Sequence, residues 1–303
     1  MTAPRQVIPG ETFMATRRIS ERRFFLRPDK IVNNIIEFCI ALAAQKAGVL
    51  LHALVVLTNH YHLQATDPKG NLPDFLREAH RMIAQCLNKY WGRDEALWSS
   101  DKPSVVTLMD EGSQIEKLIY ITLNPVRALL VSDYRQWPGV LYTARDWFRR
   151  PKKIKRPKYF FDPTNTDDNE VELSFVPFPV FAEKDLDKVY QEIQEAIRDE
   201  QRAIQAEIKT AGRRFMGIKR VQKVNPSDRP TTGEPTNKLN PCLSASDSEV
   251  MKKAKKRLKY FRQAYREALS KLRAGLKAIF PYGTFWYYRY LNVVCEPAHT
   301  MQL

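Results

Sequence analysis

Ala53-Leu54-Val55-Val56-Leu57-Thr58-Asn59-His60-Tyr61-His62-Leu63-Gln64-Ala65-Thr66 decides how this chain is read. An apolar run, a short polar break and two histidines one residue apart predict two adjacent strands. Successive side chains of a strand point to opposite faces, so His60, His62 and Gln64 share one face while Tyr61 and Leu63 take the other. Two imidazoles on one rigid face can hold a single metal ion. Two ordinary half-buried histidines give the same spacing, and the stretch alone leaves both readings open.

Working outward, Thr12-Phe13-Met14-Ala15-Thr16-Arg17-Arg18-Ile19 reads as a strand, and residues 22–26 as the loop after it. Asp29 is placed to cap a helix in which Ile31, Ile35, Phe38 and Leu42 recur at helical spacing and which Gly48 ends. On the other side, Asn71 and Pro73 open a second helix with Leu76, Ala79, Ile83, Leu87 and Tyr90 along one stripe. Arg77 and Arg81 lie one turn apart on another face of it, where a solvated surface and a phosphate contact both fit. Ser104-Val105-Val106-Thr107-Leu108 is a fourth strand, and a third helix is expected from about Gly112 to Leu123. The order strand, helix, strand, strand, helix, strand predicts an α+β fold, a split β-α-β arrangement with helices on one face of an antiparallel sheet.

The third helix supplies a possible second half of a site. Tyr120 and Asn124 are four apart and share a helix face. Pro125 biases Asn124 away from helical geometry, which predicts that Asn124 sits at the helix end. A tyrosine nucleophile and an amide ligand can then approach from the helix what the histidines approach from the strand. A core tyrosine followed by a C-capping asparagine is the alternative.

At 303 residues the chain suits one large or two smaller domains. It carries 49 Lys+Arg against 34 Asp+Glu, a net charge of +15, which favours a polyanionic partner and nucleic acid first. An anionic membrane surface is the other candidate, although no apolar run approaches the roughly 18–20 residues that span a bilayer. Cys39, Cys86, Cys242 and Cys295 form no Cys-x-x-Cys pair, which argues against a zinc ribbon or finger. Met1-Thr2-Ala3-Pro4-Arg5 has no apolar signal core, and the expected setting is a reducing cytoplasm.

Three regions are expected: a catalytic unit over residues 1–148, a basic and polar linker over 149–182, and a helical basic extension over 183–303. Seven of the residues from Arg149 to Lys158 are Lys or Arg, with Pro151 and Pro157 among them. In the extension, Leu186, Val189, Ile193, Ile197, Ile204 and Ile208 mark one amphipathic helix. Val250, Leu258, Phe261, Tyr265, Leu269, Leu272, Leu276 and Ile279 mark another, and the two are expected to zip together. A disordered loop is expected between them at about 223–248. From Lys252 to Lys277 there are eleven Lys/Arg and one acid, Glu267. That imbalance favours phosphate contacts over simple solvation, with Lys252, Lys253, Lys255, Lys256 and Arg257 as candidates. The tail Phe280-Pro281-Tyr282-Gly283-Thr284-Phe285-Trp286-Tyr287-Tyr288-Arg289-Tyr290 can either stack on unpaired bases or plug onto a core.

Two motifs carry a family likeness. Thr58-Asn59-His60-Tyr61-His62-Leu63 resembles the histidine-hydrophobic-histidine motif of the HUH transposases. Tyr120-Ile121-Thr122-Leu123-Asn124-Pro125-Val126-Arg127-Ala128 resembles the Y-I-x-x-N-P-V-R-A segment of the REP-associated tyrosine transposases, relatives of the single-tyrosine transposases of small bacterial insertion sequences. Tyr134 and Trp137-Pro138 are similar to the aromatic segment expected after that helix, so the likeness spans roughly residues 10–145. Thr58 departs from it where many relatives have proline. So does Ser99-Ser100-Asp101, where basic residues are common after Trp98.

The resemblance implies a ferredoxin-like (RRM-like) catalytic domain and a helical extension of the kind longer members carry. It implies a divalent metal, Mg2+ or Mn2+, on His60, His62 and Asn124, with Tyr120 as nucleophile. The substrate it implies is single-stranded DNA beside a hairpin or inverted repeat, nicked and rejoined through a 5′-phosphotyrosine. Arg17, Arg18 and Arg127 are then candidates to grip flanking phosphates. Monomer and homodimer both remain open. The competing readings are a domesticated, non-cleaving binder of structured DNA or RNA, and a replication-initiator-like nickase, against which the absence of a helicase motif counts.

Overall fold

The computed structural model describes residues 4–159, 169–231 and 241–298. Its first elements are β1 (Glu11–Arg18), α1 (Lys30–Ala47), β2 (Leu50–Val56), β3 (His60–Asp67), α2 (Leu72–Trp91), β4 (Ser104–Leu108) and α3 (Glu111–Arg127). β1 pairs antiparallel with β3 and β4, and β2 pairs antiparallel with β3. The order β2-β3-β1-β4 is that of a ferredoxin-like β-α-β-β-α-β unit. β5 (Leu141–Tyr142) lengthens the sheet beyond β2. Local chemistry sets the boundaries. The Asp29 carboxylate accepts from the backbone N–H groups of Ile31 and Val32 at 2.9 and 2.8 Å, and Gly48 ends α1 at φ 72°. Asp67, at the end of β3, performs the same task for α2 by accepting from Asn71 N and Leu72 N, while Asn71 itself makes no side-chain cap.

α1 and α2 cover the face that takes Tyr61, Leu63 and Ala65, and their buried residues, including Cys39 and Cys86, form the main core. α3 crosses the opposite face, against β2, β3 and β4. The sheet face expected to lie open is therefore roofed by this helix. Asp110 caps α3 in a reciprocal box with Ser113. The expected end of the helix near Leu123 needs correction: α3 continues to Arg127 with Pro125 inside it. Proline removes one donor, but Ala128 N still bonds Asn124 O at 2.9 Å, and burial of Leu123, Pro125 and Val126 outweighs the local bias.

The stretch read as a linker carries packed structure. β6 (Lys152–Lys155) and β7 (Glu170–Leu173) pair antiparallel and lie on α1, where Lys152 meets Glu37 at 2.8 Å. Phe175, Phe178 and Phe181 are buried beyond them, an apolar set that the basic run before them masks. The two long C-terminal helices are not zipped together. α4 (Leu186–Thr210) instead buries Val189, Ile193, Ile197, Ile204 and Ile208 and packs along α3. A short α5 (Ile218–Lys223) follows. β8 (Leu243–Ser244) then joins the sheet edge parallel to β4. α6 (Ser248–Arg273) packs on β8 and on β9 (Ile279–Phe280), and buries only Ala254, Phe261 and Ala268. The middle of the loop expected at 223–248, residues 232–240, lies outside the described residues.

The tail of aromatics is anchored at one end. Val7 N donates to Gly283 O at 3.0 Å, and Phe280 is fully buried. Gly283 has φ 88°, and a Cβ there would lie 2.6 Å from Gln6 Cγ, so this contact requires glycine. Beyond it, α7 (Trp286–Leu291) runs at the surface before β10 (Val294–Cys295) pairs with β9.

His52 joins the segment after β7 to the sheet. Its Nδ1–H donates to Val176 O at 2.8 Å, and its Nε2 accepts from the Thr66 hydroxyl at 2.7 Å. Thr12 completes the chain onto Thr66. Burial lowers the His52 pKa to about 4, so the folded protein holds it neutral. The unfolded chain takes up a proton near pH 6.5 that the folded protein refuses. Stability from this site is therefore full above about pH 6.5 and is lost as pH falls toward 4, by about 3 kcal/mol when complete. Denaturant melts at pH 7 and pH 5 should show the fall. His52→Gln, which takes no proton, should be less stable at pH 7 but decline less steeply.

Candidate active site

The register of β1 on β3 sets Thr16 opposite His62 and Arg18 opposite His60. His60 and His62 point to the face that α3 roofs. Their ring centroids are 4.9 Å apart with planes at 86°, and the His62 ring meets the Tyr120 ring edge-on at 5.2 Å. His60 Nδ1 pairs with Asn59 Oδ1 at 2.7 Å, and His62 Nδ1 with Thr16 Oγ1 at 2.7 Å. With Nδ1–H donating to Thr16, the His62 Nε2 lone pair is left facing the site. That Nε2 is buried and has no hydrogen-bond partner among the described residues. Burial, then the nearby His60 and Arg18, hold the His62 pKa well below its ordinary value, so the imidazole is neutral and ligand-ready.

Gln64, next on the same face, donates to Gln114 O at 2.8 Å and thereby pins α3 to β3. From Gln114 to Tyr120 the helix runs antiparallel to β3. A helix rises about 1.5 Å per residue and a strand about 3.3 Å, so four helix residues match two strand residues. Asn124, one turn beyond Tyr120 and buried, lies further along α3 in the direction of the His60 end of β3. The continuation of α3 past Pro125 is what keeps Asn124 on the Tyr120 face. Tyr120 is half-buried, and no partner takes its hydroxyl among the described residues. Tyr61, the neighbouring phenol, is different: it faces α2, where its hydroxyl bonds His80 Nε2, and burial pushes its pKa well up.

No cluster of three His, Cys, Asp or Glu that could hold a metal occurs among the described residues. A cation here would rest on two imidazoles and an amide, all neutral, and would keep its full charge toward a phosphate. The orphaned Nε2 of His62 fits that role.

The basic candidates are dispersed. Arg18 lies beside the histidines, exposed at the end of β1. Arg17 points to the opposite face, stacks on Trp98 and donates to Ser99 O and Asp101 O. The Ser99-Ser100-Asp101 departure thus provides carbonyls that hold Arg17. Arg127 is tied to Glu200 of α4. Arg77 and Arg81 sit on α2, paired with Asp74 and Glu78. Lys252, Lys253, Lys255 and Lys256 are exposed on α6, whereas Arg257 meets Glu11 at 2.5 Å. Thr16 and Gln114 were missed by sequence reasoning, since only the strand register and the helix placement show their contacts.

The class defined by this fold and site is an α+β domain whose central strand offers a His-x-His pair to a tyrosine on a helix across the sheet. Among solved structures the chain is similar to one described as the REP-associated tyrosine transposase bound to a REP hairpin, at 19% identity and a TM-score of 0.42, over 57% of this chain and 99% of that one. It is also similar to a putative transposase from Deinococcus radiodurans R1, at 20% identity and a TM-score of 0.29, over 40% of this chain and 95% of that one. No protein-family model and no curated protein matches the chain.

Proposed function

We propose that this protein is a metal-dependent enzyme of the REP-associated tyrosine transposase type, which nicks and transfers single-stranded DNA beside hairpins. The observation that carries the reading is the meeting of His60, His62 and Tyr120 on one face of the sheet, with the His62 Nε2 unpartnered. The net charge of +15 suits the substrate.

In this reading Tyr120 Oη attacks the phosphorus of the scissile bond, and its proton passes to solvent at the half-open site. The bond from phosphorus to the 3′ oxygen breaks, and that oxygen leaves as a 3′ hydroxyl after taking a proton. The 5′ end stays on Tyr120 as a phosphodiester, which preserves bond energy for rejoining. His60, His62 and the Asn124 amide would hold Mg2+ or Mn2+, which would supply Lewis-acid activation of the phosphate when bound. Thr16 keeps the His62 ring in the ligand tautomer, and Gln64 keeps α3 at its height above β3. Arg18, opposite His60 on the neighbouring strand, is the candidate to hold a flanking phosphate.

Incubation with hairpin-bearing single strands and Mn2+ should give a denaturant-resistant protein–DNA adduct and a free 3′ hydroxyl. Tight, salt-sensitive binding with no adduct, indifferent to His60→Ala, would favour a non-cleaving binder instead. Thr16→Val keeps the shape of the strand but releases the His62 ring. It should weaken Mn2+ binding by roughly 10–100-fold, read by calorimetric titration, and cost about 1–3 kcal/mol of stability because the buried Nδ1–H loses its acceptor.

A further inference from the structure

A second groove lies on the far side of the sheet, between α2, the β4 edge, α6 and the aromatic tail. It encloses about 710 Å³. Arg5, Arg17, Arg257 and Arg262 line it, and Trp286 and Tyr287 stand along it. Glu11 is the sole acid lining it among the described residues, and Arg257 already engages that carboxylate.

The groove is therefore overloaded with positive charge. The Nε atoms of Arg17, Arg257 and Arg262 are buried and have no acceptor among the described residues. Unmet buried donors on charged groups are costly unless a ligand supplies acceptors. Burial also holds Arg5 and Arg17 below the ordinary guanidinium pKa, the sign of cations taken partly out of water. Beside these donors Trp286 is 50% exposed, with Arg77 over its ring at 5.7 Å. Tyr290 stacks on it at 5.2 Å and 19°. Half-exposed aromatic planes next to unpaired guanidinium donors match a ligand that alternates flat rings with anions. A duplex keeps its bases stacked inside, and a peptide of acidic residues alone offers no rings.

We infer that this groove is a second DNA site, which takes an unpaired stretch of the strand through phosphate contacts and stacking on Trp286. Arg17 and His80, which line it, lie on the sheet face opposite to His62 and Tyr120, so the groove is separate from the cleavage site. The choice of DNA as occupant rests on the proposed function; the groove's taste for an unpaired polyanion does not.

The test uses full-length Tyr120→Phe protein without divalent metal, so cleavage plays no part. Anisotropy titrations compare a labelled DNA hairpin with the same hairpin carrying an oligothymidylate tail of about 12 nucleotides. The tail should tighten binding by about tenfold or more. Trp286→Ala with Arg262→Ala should remove that gain and leave the tailless hairpin within about twofold. Trp286→Phe, which preserves a stacking plane, should keep most of it. Each single alanine variant should lose part of the gain, which keeps the test decisive if the double variant fails to fold by circular dichroism. The inference is overturned if the tail adds nothing, if its gain survives in the folded double variant, or if oligoglutamate displaces it as well as free oligothymidylate does. Failure of the wild-type protein to cleave any substrate would count against the enzyme reading alone.

Discussion

Tyr120→Phe is expected to abolish the covalent adduct and to lower strand cleavage by roughly 10³-fold or more, the scale seen when a nucleophile is removed. The substitution deletes one oxygen. The ring, its edge contact with His62 and its place on α3 all remain. Because no described residue bonds the hydroxyl, stability should move by no more than about 0.5 kcal/mol. Tyr61→Phe supplies the opposite result. Tyr61 is fully buried against α2, and losing its hydroxyl strands His80 Nε2. That variant should lose about 1–3 kcal/mol of stability yet keep cleavage in whatever fraction stays folded. Denaturing gels and thermal melts on the pair separate a nucleophile from a structural phenol.

The second large effect is expected at the histidines. His62→Ala removes the orphaned Nε2 and leaves Thr16 Oγ1 without its partner. Cleavage should fall by about 10²-fold or more, and excess Mn2+ should not restore it fully. Part of this change is structural, since His62 is buried and its loss opens a small cavity. His60→Ala is cleaner because His60 is half-exposed. It should cut cleavage by a similar factor while the melting temperature barely changes. Chelation of the wild-type protein should match the His60→Ala rate, and adding Mn2+ back should rescue only the wild type.

Much of this site can be read from the chain because its determinants are local. Strand alternation sends His60, His62 and Gln64 one way and Tyr61 the other, and helical spacing couples Tyr120 to Asn124. Asp29 and Gly48 mark the ends of α1 by their own backbone preferences. What stays illegible depends on non-local packing. Thr16 becomes a partner of His62 only through the β1–β3 register. Pro125 argues locally for a helix end, but the buried apolar residues around it keep the turn helical. The stripe of α4 shows that it needs an apolar partner, and only the tertiary fold says that the partner is α3 rather than α6. The basic run at Arg149 hides a hairpin, because its two buried residues, Ile154 and Pro157, count for little beside the surrounding charges. Arg17 and Arg18 look equivalent in the sequence, yet alternation puts them on opposite faces. One lies beside the histidines, and the other belongs to the second groove.

The most direct measurement is to trap the adduct on a hairpin-bearing single strand with Mn2+, digest it, and locate the nucleotide by mass spectrometry. The account predicts that the modified peptide contains Tyr120, with the DNA joined to its phenol through a 5′ phosphate. A nucleotide on any other residue, a 3′ linkage, or adduct formation unchanged in His60→Ala would contradict it.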